Sequence, residues 1–96
     1  MSYTVTGRVH HVGEITEVGK NALQKREFVI ETLDQYPQLI KFELIKDKTT
    51  LIDTNHVGAS AEVHFDLRGR EWNEKFFTSL QAWKINIQND DNSTPF

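Results

Sequence analysis

Thr4-Val5-Thr6-Gly7-Arg8-Val9-His10-His11-Val12-Gly13-Glu14-Ile15-Thr16-Glu17-Val18 is the stretch that decides the fold. Val5, Gly7, Val9 and His11 alternate with Thr4, Thr6, Arg8 and His10, and the period of two runs on loosely through Ile15 to Val18. Such alternation puts opposite sets of side chains on the two faces of an extended chain. One long strand is expected, and Gly7 and Gly13 let it coil sharply.

Beyond it, Gly19-Lys20-Asn21-Ala22 reads as a turn, and Leu23 to Leu33 as a second strand with Phe28 and Ile30 on one face and Lys25, Glu27 and Glu31 on the other. Asp34-Gln35-Tyr36-Pro37 breaks the chain, because proline removes a ladder donor. Gln38 to Ile45 resumes the alternation as a third strand. Lys46 to Val57 is too polar for a buried strand and too short for a long helix, so it reads as a connecting turn or short helix closed by Gly58. Ala61, Val63, Phe65 and Leu67 mark a fourth strand, and Phe76 to Ile87 a fifth after a Gly69-to-Glu74 loop.

The string is all-β. Its long first strand, together with a connector between strands three and four, predicts a five-stranded OB-fold barrel. An SH3-like barrel or an open β-meander shares much of the same pattern. The barrel is expected over residues 1–87. Residues 88–96 have few apolar groups to bury and read as an acidic, flexible, disordered C-terminal tail.

A chain of 96 residues holds one such domain, and the absence of cysteine excludes disulfides, thiolate metal sites and cysteine nucleophiles. That composition suits a reducing cytoplasm. No apolar run approaches the ~20 residues of a membrane helix, and Met-Ser-Tyr-Thr-Val has no secretory pattern, so a soluble cytoplasmic protein is expected. The formal net charge of −3 works against phosphate binding. Asp90 and Asp91 lie in the tail, however, and the remaining body nearly balances its charges, which leaves room for a basic groove.

OB barrels hold single strands by stacking bases on exposed aromatic rings while Lys and Arg follow the backbone. Arg68-Gly69-Arg70-Glu71-Trp72-Asn73-Glu74-Lys75-Phe76-Phe77 is the densest source of both. Arg68, Arg70 and Lys75 are the candidate phosphate contacts, with Trp72 and an outward Phe76 as candidate platforms. Lys41, Arg26 and Tyr36 extend the candidate surface over strands two and three, interleaved there with Glu27, Glu31 and Glu43. The competing reading is a hairpin whose Trp72 caps the barrel and whose arginines pair with Glu71 and Glu74. Trp83, in the fifth strand, reads as core or half-buried.

No catalytic residues, metal ligands or cofactor are expected. His10 and His11 are adjacent on a strand and point to opposite faces, while His56 and His64 have no ligand spacing. Glycine-rich phosphate loops, paired carboxylates and Ser-His-Asp patterns are absent from the sequence, which is not expected to be that of an enzyme.

Phe65-Asp66-Leu67-Arg68-Gly69-Arg70-Glu71-Trp72, followed by Phe77 and Leu80-Gln81-Ala82-Trp83, resembles the closing hairpin of a small family of SSB-like OB proteins related to bacterial and phage single-stranded DNA-binding proteins. Tyr36-Pro37-Gln38 before Phe42-Glu43 resembles that family too. The resemblance implies sequence-tolerant single-stranded DNA binding in replication, recombination or repair. Asp90-Asp91-Asn92-Ser93-Thr94-Pro95-Phe96 resembles the acidic tip of bacterial SSB proteins. There the final Pro-Phe docks on replication and repair proteins, which implies a partner-docking role for Asp90, Asp91, Pro95 and Phe96. The rival function is an OB-fold protein–protein interaction module without nucleic-acid binding. Exposed strand edges make a homo-oligomer the expected state.

Overall fold

Six strand segments form one sheet in the computed structural model, which describes residues 2–20 and 22–88. They are β1 Ser2–Val12, β2 Thr16–Val18, β3 Leu23–Thr32, β4 Leu39–Ile45, β5 Ser60–Trp72 and β6 Lys75–Gln88. The sheet order β1-β5-β6-β4-β3-β2 is closed by a further β1–β3 pairing. All pairings are antiparallel except β4–β6, which is parallel at Glu43 and Gln81. β1 and β2 are two pieces of the long first strand, so five strand positions surround one core, and the OB barrel expected from the sequence is the fold observed. The connector between β4 and β5 is two short 3₁₀ turns, Lys46–Leu51 and Thr54–His56.

Why β1 can serve both sheets is visible at Gly7, which faces Ala61 of β5 on one side and Thr32 of β3 on the other. A Cβ on Gly7 would sit 2.4 Å from the Glu31 carbonyl oxygen and 2.5 Å from Ile30 Cγ2. The backbones therefore approach so closely that only a hydrogen fits. Past Gly7 the pairing with β3 slips between Val9 and His11, leaving His10 as the extra residue of a bulge. Val9 and Val12 both point into the core, whereas His10 and His11 are both exposed. The bulge corrects the expectation that the two histidines take opposite faces, since it interrupts the alternation on which that expectation rested.

The core consists of Val9, Val12, Phe28, Ile30, Phe42, Leu44, Ile52, Ala61, Val63 and Ala82. Phe28 stacks on Phe42 at 5.3 Å, and Phe42 meets Phe65 edge-on at 5.0 Å. Such pairs add about 1 kcal/mol each beyond the area they bury. Arg26 lies on the Phe28 side of β3, not on the outward side with Lys25. Its guanidinium donates to the Ile52 carbonyl oxygen and so ties the connector to the barrel. No helix among the described residues is long and apolar enough to cross a membrane. The tail residues Asp90, Asp91, Pro95 and Phe96 lie outside the described residues.

Replacing Gly7 by Ala should lower the thermal midpoint by about 4–20 °C, the equivalent of ~1–3 kcal/mol of overpacking in a domain of this size. Gly69→Ala, where the nearest atom to the new Cβ lies at 3.7 Å, should leave it nearly unchanged. Equal midpoints for the two variants, followed by circular dichroism, would show that the β1 crossing is not tight.

Candidate nucleic-acid interface

The β5–β6 hairpin inherits its orientation from the core. Ala61 and Val63 are fully buried on β5, opposite Ile87 and Ile85, and Phe65 follows them opposite the buried Ala82. Side chains two apart share a face, and directly opposed residues of an antiparallel pair lie side by side. The outward set is therefore Asp66, Arg68, Arg70 and Trp72 on β5, facing Gln81, Ser79, Phe77 and Lys75 on β6. β5 remains paired as far as Trp72. The Gly69-to-Glu74 loop expected from the sequence is thus strand up to Trp72, and the turn shrinks to Asn73 and Glu74, at φ 59° and 65°. Positive φ at both central residues is the geometry of a two-residue hairpin whose twist matches its strands.

On this outward face Trp72 is 62% exposed. The Arg70 guanidinium lies 5.9 Å from the centre of the Phe77 ring, and Arg68 Nε donates to Gln81 Oε1 at 3.0 Å. Among the described residues no carboxylate lies within ion-pair distance of Arg68, Arg70 or Lys75. Phe76 is more exposed still, at 77%, but it pairs with Glu71 on the opposite face of the hairpin. The ring placed among the cations is Phe77, which was not singled out as a platform in the sequence. Counting in twos from the buried Ala82 puts Leu80, Thr78 and Phe76 in its phase and leaves Phe77 in the outward one.

A groove of about 450 Å³ separates this face from the outer surface of β3 and β4, lined by Lys25, Glu43, Arg68, Arg70, Phe77 and Ser79. A neighbouring hollow of about 400 Å³ is lined by Leu39, Lys41, Thr78 and Leu80, among others. Lys25 and Lys41 are not free here. Lys25 Nζ lies 3.5 Å from Glu27 and 3.3 Å from Glu43, and Lys41 Nζ lies 3.6 Å from Glu27. The Lys41–Glu27 pair is solvent-exposed and of a kind that contributes only about 0–1 kcal/mol, so a polyanion can compete for Lys41 at little cost, whereas Lys25 and Glu43 are half-buried. Tyr36 stands at the β3–β4 corner, 73% exposed, with its carbonyl accepting from Gln38 Nε2 at 3.1 Å. The structure thus brings Arg68, Arg70, Trp72 and Lys75 to one hairpin face, with Lys25 across the groove and Lys41 on the neighbouring hollow. Phe76 and Arg26 are directed elsewhere.

Glu62, on the outer face of β5, is engaged within its own sheet. Asn86 Nδ2 donates to its Oε1 at 2.9 Å and His64 Nε2 lies 3.2 Å away, and these contacts, Asn86 first, hold its carboxyl below the ordinary carboxylate range. Among the described residues no cluster of His, Cys, Asp and Glu is placed to hold a metal ion.

The profile of the family "Domain of unknown function (DUF3127)" matches residues 4–86. No curated protein sequence matches the chain. Among solved structures it is similar to the dimeric N-terminal domain of PriB from Thermoanaerobacter tencongensis, with 18% identity, 91% of this chain and 94% of that one covered, and a TM-score of 0.65. Rim1, a mitochondrial single-stranded DNA binding protein of S. cerevisiae, aligns at 17% identity over 91% of this chain and 94% of its own, with a TM-score of 0.67. SSBb, the second single-stranded DNA binding protein of Mycobacterium smegmatis, aligns at 10% identity over 100% of this chain and 94% of its own, with a TM-score of 0.65. At these identities the likeness is one of fold.

Glu74 holds a left-handed conformation that costs an L-residue about 1 kcal/mol or more. Glu74→Gly should therefore firm the hairpin tip, slowing amide exchange around it roughly fivefold for ~1 kcal/mol of added local stability. Faster exchange at the tip would contradict the two-residue turn.

Proposed function

Because the chain belongs to the DUF3127 family, which carries no assigned activity, we propose its function from the hairpin face itself: sequence-tolerant binding of single-stranded DNA, without catalysis. The observation that carries this reading is the gathering of Arg68, Arg70, Trp72, Lys75 and Phe77 on one face of β5–β6, with the indole exposed and the cations unpaired by carboxylates among the described residues. Guanidiniums meet phosphates and stack on bases, and an exposed ring accepts any base because every base has a π-face. Lys41 and Lys25 take the strand's far side by exchanging Glu27 and Glu43 for phosphate. The fold shared with Rim1 and SSBb, described as single-stranded DNA binding proteins, supports the reading.

A role in DNA replication, recombination or repair belongs to the same proposal, as does partner docking through Asp90, Asp91, Pro95 and Phe96, which rests on sequence resemblance. So does self-association. The fold shared with the N-terminal domain of PriB, described as dimeric, supports it. Light scattering reads the resulting mass directly.

The rival reading, a protein-interaction module, draws on Glu27 and Glu43 within the groove and on the net charge of −3. Anisotropy of labelled oligo-dT separates the two. Trp72→Ala should weaken binding roughly 5- to 100-fold, the loss of one stacked base. Arg70→Ala should also reduce the slope of log affinity against log salt by about 0.7, one phosphate contact to a single strand. Affinity unchanged in both variants, or an absence of saturable binding by the native chain, overturns the proposal.

A further inference from the structure

Resting on that reading, we infer that the pocket beside Trp83 is a second base-stacking subsite, at the opposite end of the arginine row from Trp72. The pairing of β5 with β6 slips between His64 and Phe65, which face Lys84 and Ala82, so Trp83 is the extra residue of a bulge. A bulge re-aims a side chain. Here the buried Ala82 keeps its place in the core while the indole stands 39% exposed, its ring 5.4 Å from that of His64 and tilted by 54°.

Beside the indole opens a pocket of about 250 Å³, lined by Ile45, Lys46, Lys48, Arg68 and Trp83 together with Asp47, Asp66 and others. Arg68 also lines the main groove, so the two spaces share a wall. Lys46 and Lys48 are exposed, and among the described residues neither has a carboxylate within ion-pair distance. The pocket therefore offers three cations against two carboxylates, beside a flat ring. That is the chemistry of a nucleotide subsite, with one base laid on the indole and the flanking phosphate met by Lys48 and Lys46. Asp66, beside the pocket, and Trp72, at the tip, lie six residues apart on β5, about 20 Å at roughly 3.3 Å per residue. Arg68 and Arg70 occupy the interval. The single strand thus runs along the hairpin from one indole to the other.

The chain has two tryptophans, so Trp72→Phe leaves Trp83 as the sole indole reporter. That variant is titrated with labelled oligo-dT of about 16 nucleotides, the upper footprint of one OB domain, while label anisotropy and indole emission are followed together. Trp83 emission should be quenched with the same half-saturation as the anisotropy. In the otherwise native chain Lys48→Ala should weaken binding about two- to tenfold and flatten the salt slope by about 0.7. Saturating anisotropy with unchanged Trp83 emission and a silent Lys48→Ala overturns the subsite and leaves the hairpin proposal standing. Absence of saturable binding by the native chain overturns both.

Discussion

Burial of Ala61, Val63 and Phe65 inside the barrel is the constraint from which the rest of the hairpin follows. Because β-strand side chains alternate strictly, fixing those three inward fixes Arg68, Arg70 and Trp72 outward, although none of the outward three has a core of its own. The lock is tight. Phe65 packs edge-on against Phe42 at 5.0 Å and stacks with Tyr3 at 5.7 Å, while Ala82 across the ladder is 1% exposed. A slip of one residue would turn the guanidiniums toward the core and Leu67 and Phe76 into the groove, at the cost of burying charge. Core packing and surface chemistry are therefore one decision, made by the period of two.

The same constraint explains how a chain of net charge −3 can carry a cationic face. On β3 and β4 the lysines and glutamates interleave and neutralise each other, as Lys25 does with Glu27 and Glu43. On the hairpin beyond Asp66, by contrast, Arg68, Arg70 and Lys75 lie in phase with one another, and Glu71 falls in the other phase. Charge is segregated by residue parity rather than by composition. The sum over the sequence hides it.

Parity also marks what was legible beforehand. The strands, the proline corner at Pro37 and the short connector all leave periodicity or turn chemistry in the sequence, and from them the closed barrel could be drawn. Bulges leave no such trace. Nothing in His10-His11 or Ala82-Trp83 announces that one residue is extra, so plain alternation sends the two histidines to opposite faces and leaves the direction of the Trp83 indole open between core and half-buried. The length of the hairpin is hidden for a related reason, since Gly69 and Asn73 look like loop residues although pairing continues through Arg70, Glu71 and Trp72. The charge of Arg26 suggests the outward face, whereas its position next to Lys25 on a strand puts it on the opposite side, where the Ile52 carbonyl receives it.

In the proposed binding mode one face of the hairpin, and not the other, meets an unpaired strand. Side-chain and amide chemical-shift mapping during titration with oligo-dT tests it most directly. The largest changes are expected at the Trp72 indole N–H, the Arg68 and Arg70 Nε–H groups and the Phe77 ring, with Leu67, Glu71 and Phe76 little affected. Changes centred on Leu67 and Phe76, or spread evenly over both faces, would contradict it.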